Sequence, residues 1–138
     1  MESSRELGAN VSGGVTRFID HPPPGTFAPT NLVPAENVIS GTPNDRGYTA
    51  FVSEDGKAES GVWACDVYKE RIPWYPFDEL YVIIEGTAVI TVDGEQPQTF
   101  SAGDAFFVKR GTALTFEVTS PLLKHWMTYD PDASAESQ

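Results

Sequence analysis

Cysteine, histidine and basic residues are all scarce in this chain of 138 residues. Its one cysteine cannot form an internal disulfide, and it excludes a zinc or iron–sulfur site built from several cysteines. Its two histidines are too few for a metal site with three imidazole ligands. Nine Lys and Arg residues against 20 Asp and Glu give a net charge of −11. Because the basic residues do not cluster, we expect no nucleic acid and no anionic membrane as a partner.

Long hydrophobic runs are also missing. The longest uninterrupted run is Leu80–Ile84, which is far shorter than a membrane-spanning helix requires. The first residues have neither the basic start nor the apolar stretch of a signal peptide. We therefore expect a cytoplasmic protein that does not contact membranes.

Composition divides the chain into four segments. Residues 1–16 are small and polar, which predicts a disordered N-terminal arm. Residues 17–47 contain six of the prolines together with scattered apolar residues. Since proline blocks the interior of a helix, this segment predicts an extended wrap over the domain or over a partner subunit. Residues 48–129 are predicted to form the folded barrel, and residues 130–138 a polar tail.

Short β-type runs follow one another through residues 48–129. They are rich in β-branched and aromatic residues, and turn residues such as Glu85-Gly86 and Asp93-Gly94 separate them. Asp-Gly between two alternating runs indicates a hairpin, because glycine tolerates the positive φ of a tight turn. No window shows sustained helical periodicity. The residues alone therefore predict an all-β sandwich or barrel.

Two stretches of this region resemble the conserved motifs of the cupin superfamily. In cupins the first motif ends in a glutamate and a glycine with six residues between them, and Glu79 and Gly86 keep that interval. The second motif contains two glycines and a late histidine. Gly103 and Gly111 keep the glycine positions, whereas Leu114 stands where the histidine is expected. The resemblance implies a cupin double-stranded β-helix, an RmlC-like jelly-roll barrel.

Several shorter pieces resemble one branch of the superfamily. This branch is called cupin-3 or DUF861, and it is related to ureidoglycine aminohydrolase and to an ethanolamine-utilisation cupin. The pieces that match in order are Glu54-Asp55-Gly56, Gly61-Val62-Trp63-Ala64-Cys65, Trp74-Tyr75, Asp78-Glu79, Gly103-Asp104 and Lys124-His125-Trp126. Each piece is short, and their common order and spacing carry the resemblance.

The resemblance does not extend to the metal ligands of the superfamily. Metal-binding cupins hold iron, manganese, nickel or zinc with imidazoles and one carboxylate, and Glu79 alone keeps a ligand-type residue here. The first two histidine positions fall within residues 72–75, and the last is Leu114. One carboxylate with a distant imidazole is a poor transition-metal site. We therefore expect no metal and no other cofactor.

Glu79 is the candidate catalytic residue. Strand alternation places Glu79, Tyr81 and Ile83 on one face, which the cupin pattern turns towards the barrel interior. A carboxylate beside aromatic side chains in a largely apolar cavity could act as a general acid or base. The alternative is a structural role, in which Glu79 pairs with an arginine or accepts a hydrogen bond from a tyrosine.

Three aromatic residues near Glu79 are candidate ligand contacts. Trp74 and Tyr75 stand where the resemblance places the first histidine pair, and Tyr81 shares the strand face of Glu79. Aromatic rings at these positions can form a stacking wall for a planar or sugar-like ligand. Alternatively, they fill a barrel that contains no metal.

The last strands supply the remaining candidates. Lys124 and Trp126 share one face and His125 lies on the other, so only one of these faces can look into the barrel. The family tends to keep a lysine and an aromatic residue at the positions of Lys124 and Trp126, which favours that pair as the inward face. A buried lysine could bind an anionic ligand or pair with Glu79. Phe116 is expected in the core or in an apolar pocket wall.

Three functions remain open from the sequence. The leading interpretation is a cupin that binds a small molecule of unknown identity without the usual metal. The alternative is a lyase, isomerase or aminohydrolase that acts on a small polar metabolite, with Glu79 as general acid or base. The third is a structural or interaction protein. Because the apolar residues of segment 18–39 have no obvious place on a lone small barrel, we also expect a homodimer.

Overall fold

A computed structural model describes residues 9–12, 14–21 and 25–134, and within them the chain is nearly all β-structure. The strands are β1 (Ala9–Ser12), β2 (Val15–Phe18), β3 (Ala28–Pro29), β4 (Val38–Gly41), β5 (Arg46–Val52), β6 (Ala58–Cys65), β7 (Tyr68–Ile72), β8 (Asp78–Val92), β9 (Gln98–Ser101), β10 (Ala105–Val108) and β11 (Leu114–Tyr129). One 3₁₀ turn, Ala35–Asn37, lies between β3 and β4. The predicted all-β class is confirmed. In the described part of the chain, no helix has the length and apolar character needed to cross a membrane.

Nine of the strands form one antiparallel sheet that curls on itself. Along its main path the order is β10-β8-β11-β6-β5-β3. Strand β7 pairs with β11 and β4, and β9 pairs with β8. The two longest strands, β8 and β11, pair with each other over most of their length and also with shorter strands at both ends. This arrangement turns one face of the sheet inward and forms the barrel.

Strand β8 bends where the sequence predicts a turn, and its pairing with β11 is irregular there. The predicted turn at Glu85-Gly86 is instead part of one continuous strand, and the pairing with β11 shifts register between Val118 and Lys124. Gly86 has a φ of 90°, and a Cβ atom there would lie 2.1 Å from the carbonyl oxygen of Pro121. Glycine is required at this close approach, because any side chain would overlap the backbone of β11.

The main core lies inside the curl of the sheet. Its fully buried members include Cys65, Tyr68, Ile83, Leu114 and Val118, which alternate with outward-facing residues along their strands. Burying one aliphatic side chain of this size contributes about 1.5–3 kcal/mol to folding, so this inner face dominates the stability. The core therefore holds rigid the same strands that carry the candidate site.

A smaller apolar cluster lies on the outer face of β5, β6 and β11. Tyr48 and Val62 belong to it, and Phe18 and Phe27 from the proline-rich segment pack against it. The hydroxyl of Tyr48 accepts a hydrogen bond of 2.7 Å from the backbone N–H of Ile19. The proline-rich segment is thus packed on the barrel of its own chain, and it also contributes β3 and β4 to the sheet.

The chain termini differ from the expectation of polar, unstructured ends. Within the arm predicted to be disordered, residues 9–12 and 14–16 form part of the β1–β2 hairpin, while residues 1–8 lie outside the described residues. A positive φ at Gly14 and nearby β-branched residues favour this hairpin. In the predicted polar tail, Asp130 donates its backbone N–H to the carbonyl of Lys57, so the tail begins attached to the barrel.

Candidate functional site

A buried ion pair lies inside the barrel. Strand β8 contributes Glu79 and β11 contributes Lys124, and 2.7 Å separates the lysine Nζ from the glutamate Oε2. Only 4% of Glu79 and 5% of Lys124 is exposed to solvent. Of the two alternating faces at residues 124–126, the one that carries Lys124 therefore looks inward. Two opposite charges at this depth are stable only when each is well hydrogen-bonded, because removal from water is costly.

Two tyrosines complete the hydrogen bonding of the glutamate. The hydroxyl of Tyr75 donates to Glu79 Oε1 at 2.6 Å, and it lies 2.7 Å from the hydroxyl of Tyr81. Burial raises the pKa of both tyrosines well above the usual value, and the charge of Glu79 raises it further. Both hydroxyls therefore stay protonated. With Tyr75 donating to Glu79, Tyr81 donates to Tyr75.

Aromatic rings surround the lysine ammonium. Its Nζ lies 3.5 Å from the ring centroid of Tyr81 and 4.9 Å from that of Trp63. Such cation–π contacts favour the charged lysine in a site with little water. Lys124 thus contacts one carboxylate and two aromatic rings. Its contact with Glu79 is the pairing that the sequence analysis raised for a buried lysine.

The proline-rich segment positions one of these rings. Trp63 donates its indole N–H to the hydroxyl of Thr30 at 3.1 Å, and Thr30 donates to the carboxylate of Asp45 at 2.8 Å. Asp45 is buried and also accepts the backbone N–H of Leu32 at 2.7 Å. The segment that the sequence predicts to be a wrap therefore forms part of the support of the site.

A further buried carboxyl, Glu70 on β7, was missed from the sequence. It is 6% exposed, and its Oε1 accepts a hydrogen bond of 2.5 Å from the hydroxyl of Tyr68. Burial raises the pKa of Glu70, while the hydrogen bond from Tyr68 partly opposes the rise. Charged neighbours conceal the strand Tyr68–Ile72 in the sequence. The strand could have been recognised because Tyr68, Glu70 and Ile72 are spaced two residues apart, which places them on one face.

These groups face a cavity of about 670 Å³. Its lining includes Glu79, Tyr75, Tyr81, Lys124, Phe116, Trp126 and Trp74 from the predicted site, together with Trp63, Tyr68 and Glu70. A cavity of this volume is large enough for a small organic ligand. The structure thus brings six of the predicted ligand contacts and the predicted catalytic residue to one place.

Trp74 lies at the edge of this cavity, not at its base. Its side chain is 54% exposed, and the guanidinium of Arg110 lies 5.0 Å from its ring centroid. Trp74 lies at a bend of the chain, whereas the adjacent Tyr75 points inward and donates its hydroxyl to Glu79. Of the predicted aromatic pair, one member therefore contacts the polar base and the other contributes to the rim.

His125 does not reach the cavity, which corrects its prediction as a ligand contact. Strand alternation turns it to the outer face, opposite Lys124. There its Nε2 forms a hydrogen bond with the carboxylate of Asp20, and its ring packs edge-on against Phe18 with centroids 5.0 Å apart. His125 thus attaches the N-terminal segment to the barrel.

The residues of the barrel do not fit a transition metal. Both oxygens of Glu79 accept hydrogen bonds from Lys124 and Tyr75, and Leu114 is buried where a cupin imidazole is expected. Throughout residues 9–12, 14–21 and 25–134, no three His, Cys, Asp or Glu side chains lie together as metal ligands would. A protonated lysine beside the carboxylate supplies the positive charge that a metal ion would otherwise bring.

Several solved structures are similar to this chain. A DUF861 protein of unknown function from Pseudomonas syringae pv. tomato is 26% identical, with a TM-score of 0.67 over 74% of this chain. This chain spans only 43% of the length of that protein. The EutQ protein of Clostridium difficile is 24% identical with a TM-score of 0.55, and the alignment covers 72% of this chain and 79% of that one. A comparison with curated proteins found no match to this chain.

A third similar structure covers nearly the whole chain. It is a putative ethanolamine utilization protein Q from Salmonella typhimurium, 14% identical, with a TM-score of 0.63 over 90% of this chain and 94% of that one. The sequence model of the EutQ-like cupin domain, Cupin_3, matches residues 52–126, which is more than half of the chain. The predicted cupin fold and the predicted branch are both confirmed. The chain that carries this buried Glu79–Lys124 pair therefore belongs to the EutQ-like cupin domain family.

Proposed function

We propose that this cupin binds a small organic molecule in its barrel cavity without a transition metal. The observation that carries the proposal is the ion pair of Glu79 and Lys124, which is buried and faces a cavity of about 670 Å³. A buried ion pair adds little to stability compared with apolar residues of the same volume. A hydrogen-bonded polar group at the base of an aromatic-lined cavity is instead typical of a ligand site.

The contacts of Glu79 favour binding over catalysis by this residue. A general base must reach the proton of its substrate, yet both oxygens of Glu79 already accept hydrogen bonds from Lys124 and Tyr75. To act as a base, Glu79 would have to take the proton on a lone pair that these two contacts leave free. The role of Glu79 as general acid or base therefore stays a prediction, and we propose that it orients Lys124.

The names of the similar proteins do not supply the ligand. The Clostridium and Salmonella proteins are 24% and 14% identical to this chain, and likeness at that level supports the fold alone. The Pseudomonas protein is of unknown function. The chemistry of the cavity is thus the only guide to what it holds.

Saturation-transfer NMR tests the proposal on protein treated with a chelator. The panel consists of small carboxylates, amines, sugars and neutral carbonyl compounds, and elemental analysis of the same sample measures bound metal. We expect saturable binding of at least one class while the metal content stays far below one ion per chain. Binding that appears only after a divalent metal is added, or no binding by any class, would contradict the proposal.

A further inference from the structure

Two buried carboxyl groups that face the cavity, Glu79 and Glu70, accept hydrogen bonds from side chains of the protein. Glu79 accepts from Lys124 with Oε2 and from Tyr75 with Oε1. Glu70 accepts from Tyr68 with Oε1. Because a carboxylate oxygen has two lone pairs, a ligand that donates hydrogen bonds would share these oxygens with the internal donors.

Two donor groups in the cavity, by contrast, are not fully used. The ammonium of Lys124 has three N–H bonds, of which one points to Glu79 and another can face the ring of Tyr81. Oε2 of Glu70 has no hydrogen-bond partner within the described part of the chain, although the side chain is more than nine-tenths buried. When Glu70 is protonated, this oxygen presents an O–H group.

The surroundings of Glu70 raise its pKa and so favour its protonated form. No cation within the described residues forms a hydrogen bond with its carboxyl group, in contrast to Glu79, and burial disfavours its charged form. The charged and titratable groups that act on it are Tyr68 on the same strand, Lys124 on β11 and Asp45 before β5. Burial and Asp45 raise the pKa of Glu70, whereas Tyr68 and Lys124 lower it.

The charges of Glu79, Lys124 and Glu70 cancel when Glu70 is protonated. The negative Glu79 and the positive Lys124 cancel, and a protonated Glu70 adds no charge. A charged ligand would bring an uncompensated charge into a buried cavity, which is costly. An uncharged ligand with an acceptor oxygen leaves this balance unchanged.

We infer that the cavity binds an uncharged molecule through a carbonyl oxygen, which accepts hydrogen bonds from Glu70 and Lys124. The two lone pairs of a carbonyl oxygen suit two donors. The apolar body of the molecule lies against Phe116 and Trp126, which line the same cavity. This inference rests on the proposed function and adds the chemical class of its ligand.

Four probes of the same size test the inference by ligand-observed NMR titration. Acetophenone carries the neutral carbonyl, ethylbenzene lacks an acceptor, benzoate is an anion and benzylamine is a cation. We expect acetophenone to bind about tenfold more tightly than each of the other three, which is the factor that about one buried hydrogen bond supplies.

Two variants assign this preference to Glu70. Glu70→Leu removes one of the two donors, so the preference for acetophenone over ethylbenzene should become weaker. Glu70→Gln keeps an N–H donor at the same place and should retain the preference at every pH. In the unmodified protein the preference should decline as the pH rises through the raised pKa of Glu70.

The outcomes separate the inference from the proposed function. If ethylbenzene binds as tightly as acetophenone, or benzoate or benzylamine binds more tightly, the carbonyl inference fails while ligand binding in the cavity stands. A preference that is undiminished in a folded Glu70→Leu variant also overturns it. If Glu70→Leu does not fold, Glu70→Gln provides the test instead. Loss of the preference for acetophenone in that variant overturns the inference. If no probe binds and the wider panel also gives no binding, both proposals fail together.

Discussion

The buried pair of Glu79 and Lys124 has unequal consequences when one partner or both are removed. Lys124→Met leaves the carboxylate buried without its cation, which should lower the free energy of unfolding by about 3–5 kcal/mol. The double variant Glu79→Leu with Lys124→Met removes both charges and should recover most of that loss. Urea denaturation of the three proteins measures the difference. A double variant no more stable than Lys124→Met would show that the charges are not coupled.

Glu70 should make the stability of the protein depend on pH. Its pKa is raised above the ordinary value of 4.5, so the folded protein binds more protons than the unfolded chain between the two pKa values. The contribution of Glu70 to the free energy of unfolding should therefore be greatest below the ordinary pKa and fall as the pH rises through the raised one. In Glu70→Gln this fall is absent. The test is the difference in the free energy of unfolding between the unmodified protein and Glu70→Gln, measured across pH. A difference that does not change with pH contradicts the prediction.

Among the structural elements, the bend of β8 depends on Gly86. Gly86 and Gly94 both have positive φ, so alanine is strained at either position by about 1–2 kcal/mol. A Cβ at Gly86 also meets the backbone of Pro121, whereas a Cβ at Gly94 meets nothing within 4 Å. We expect Gly86→Ala to be destabilised by at least about 1–3 kcal/mol more than Gly94→Ala. Equal thermal unfolding of the two variants would contradict this account of the bend.

Elements with a clear period were predictable, and those that depend on distant partners were not. The strand Ala105–Val108 belongs to the predicted series of short β-type runs, since most of its residues are apolar β-formers. The strand Tyr68–Ile72 was missed because three of its five residues are charged, and pairing with β11 and β4 determines its conformation. Likewise, β8 was expected to break at Gly86, since the sequence does not show that Pro121 approaches there.

The site was predictable only in part for the same reason. Family motifs and strand alternation identified Glu79 and Tyr81, because both follow from one strand. The support of Trp63 by Thr30 joins residues 33 positions apart, and no local pattern records it. The inward face of Lys124 was chosen from the resemblance, since alternation alone allows either face.

For the whole molecule, the homodimer stays a prediction with a defined surface. Strand register aligns the exposed side chains of Phe107, Leu80 and Met127 in one row across β10, β8 and β11. An apolar row of this kind is a candidate for self-association. We expect light scattering to give a dimer for the unmodified chain, a monomer for Met127→Lys, and a dimer for Val67→Lys, which alters an exposed residue outside the row. A monomeric unmodified chain at all concentrations would refute the prediction.

The central claim is that the barrel cavity holds a small molecule without a metal, and cavity filling tests it most directly. Ile72 lines the cavity, whereas Val89 is similarly half-buried and is not among the lining residues, so Ile72→Trp and Val89→Trp form a matched pair. The measurement is the melting temperature of both variants and the unmodified protein across the ligand panel, in the presence of a chelator. We predict that at least one compound raises the melting temperature of the unmodified protein and of Val89→Trp but not of Ile72→Trp. The claim is contradicted if no compound raises it, or if Ile72→Trp responds as strongly as Val89→Trp.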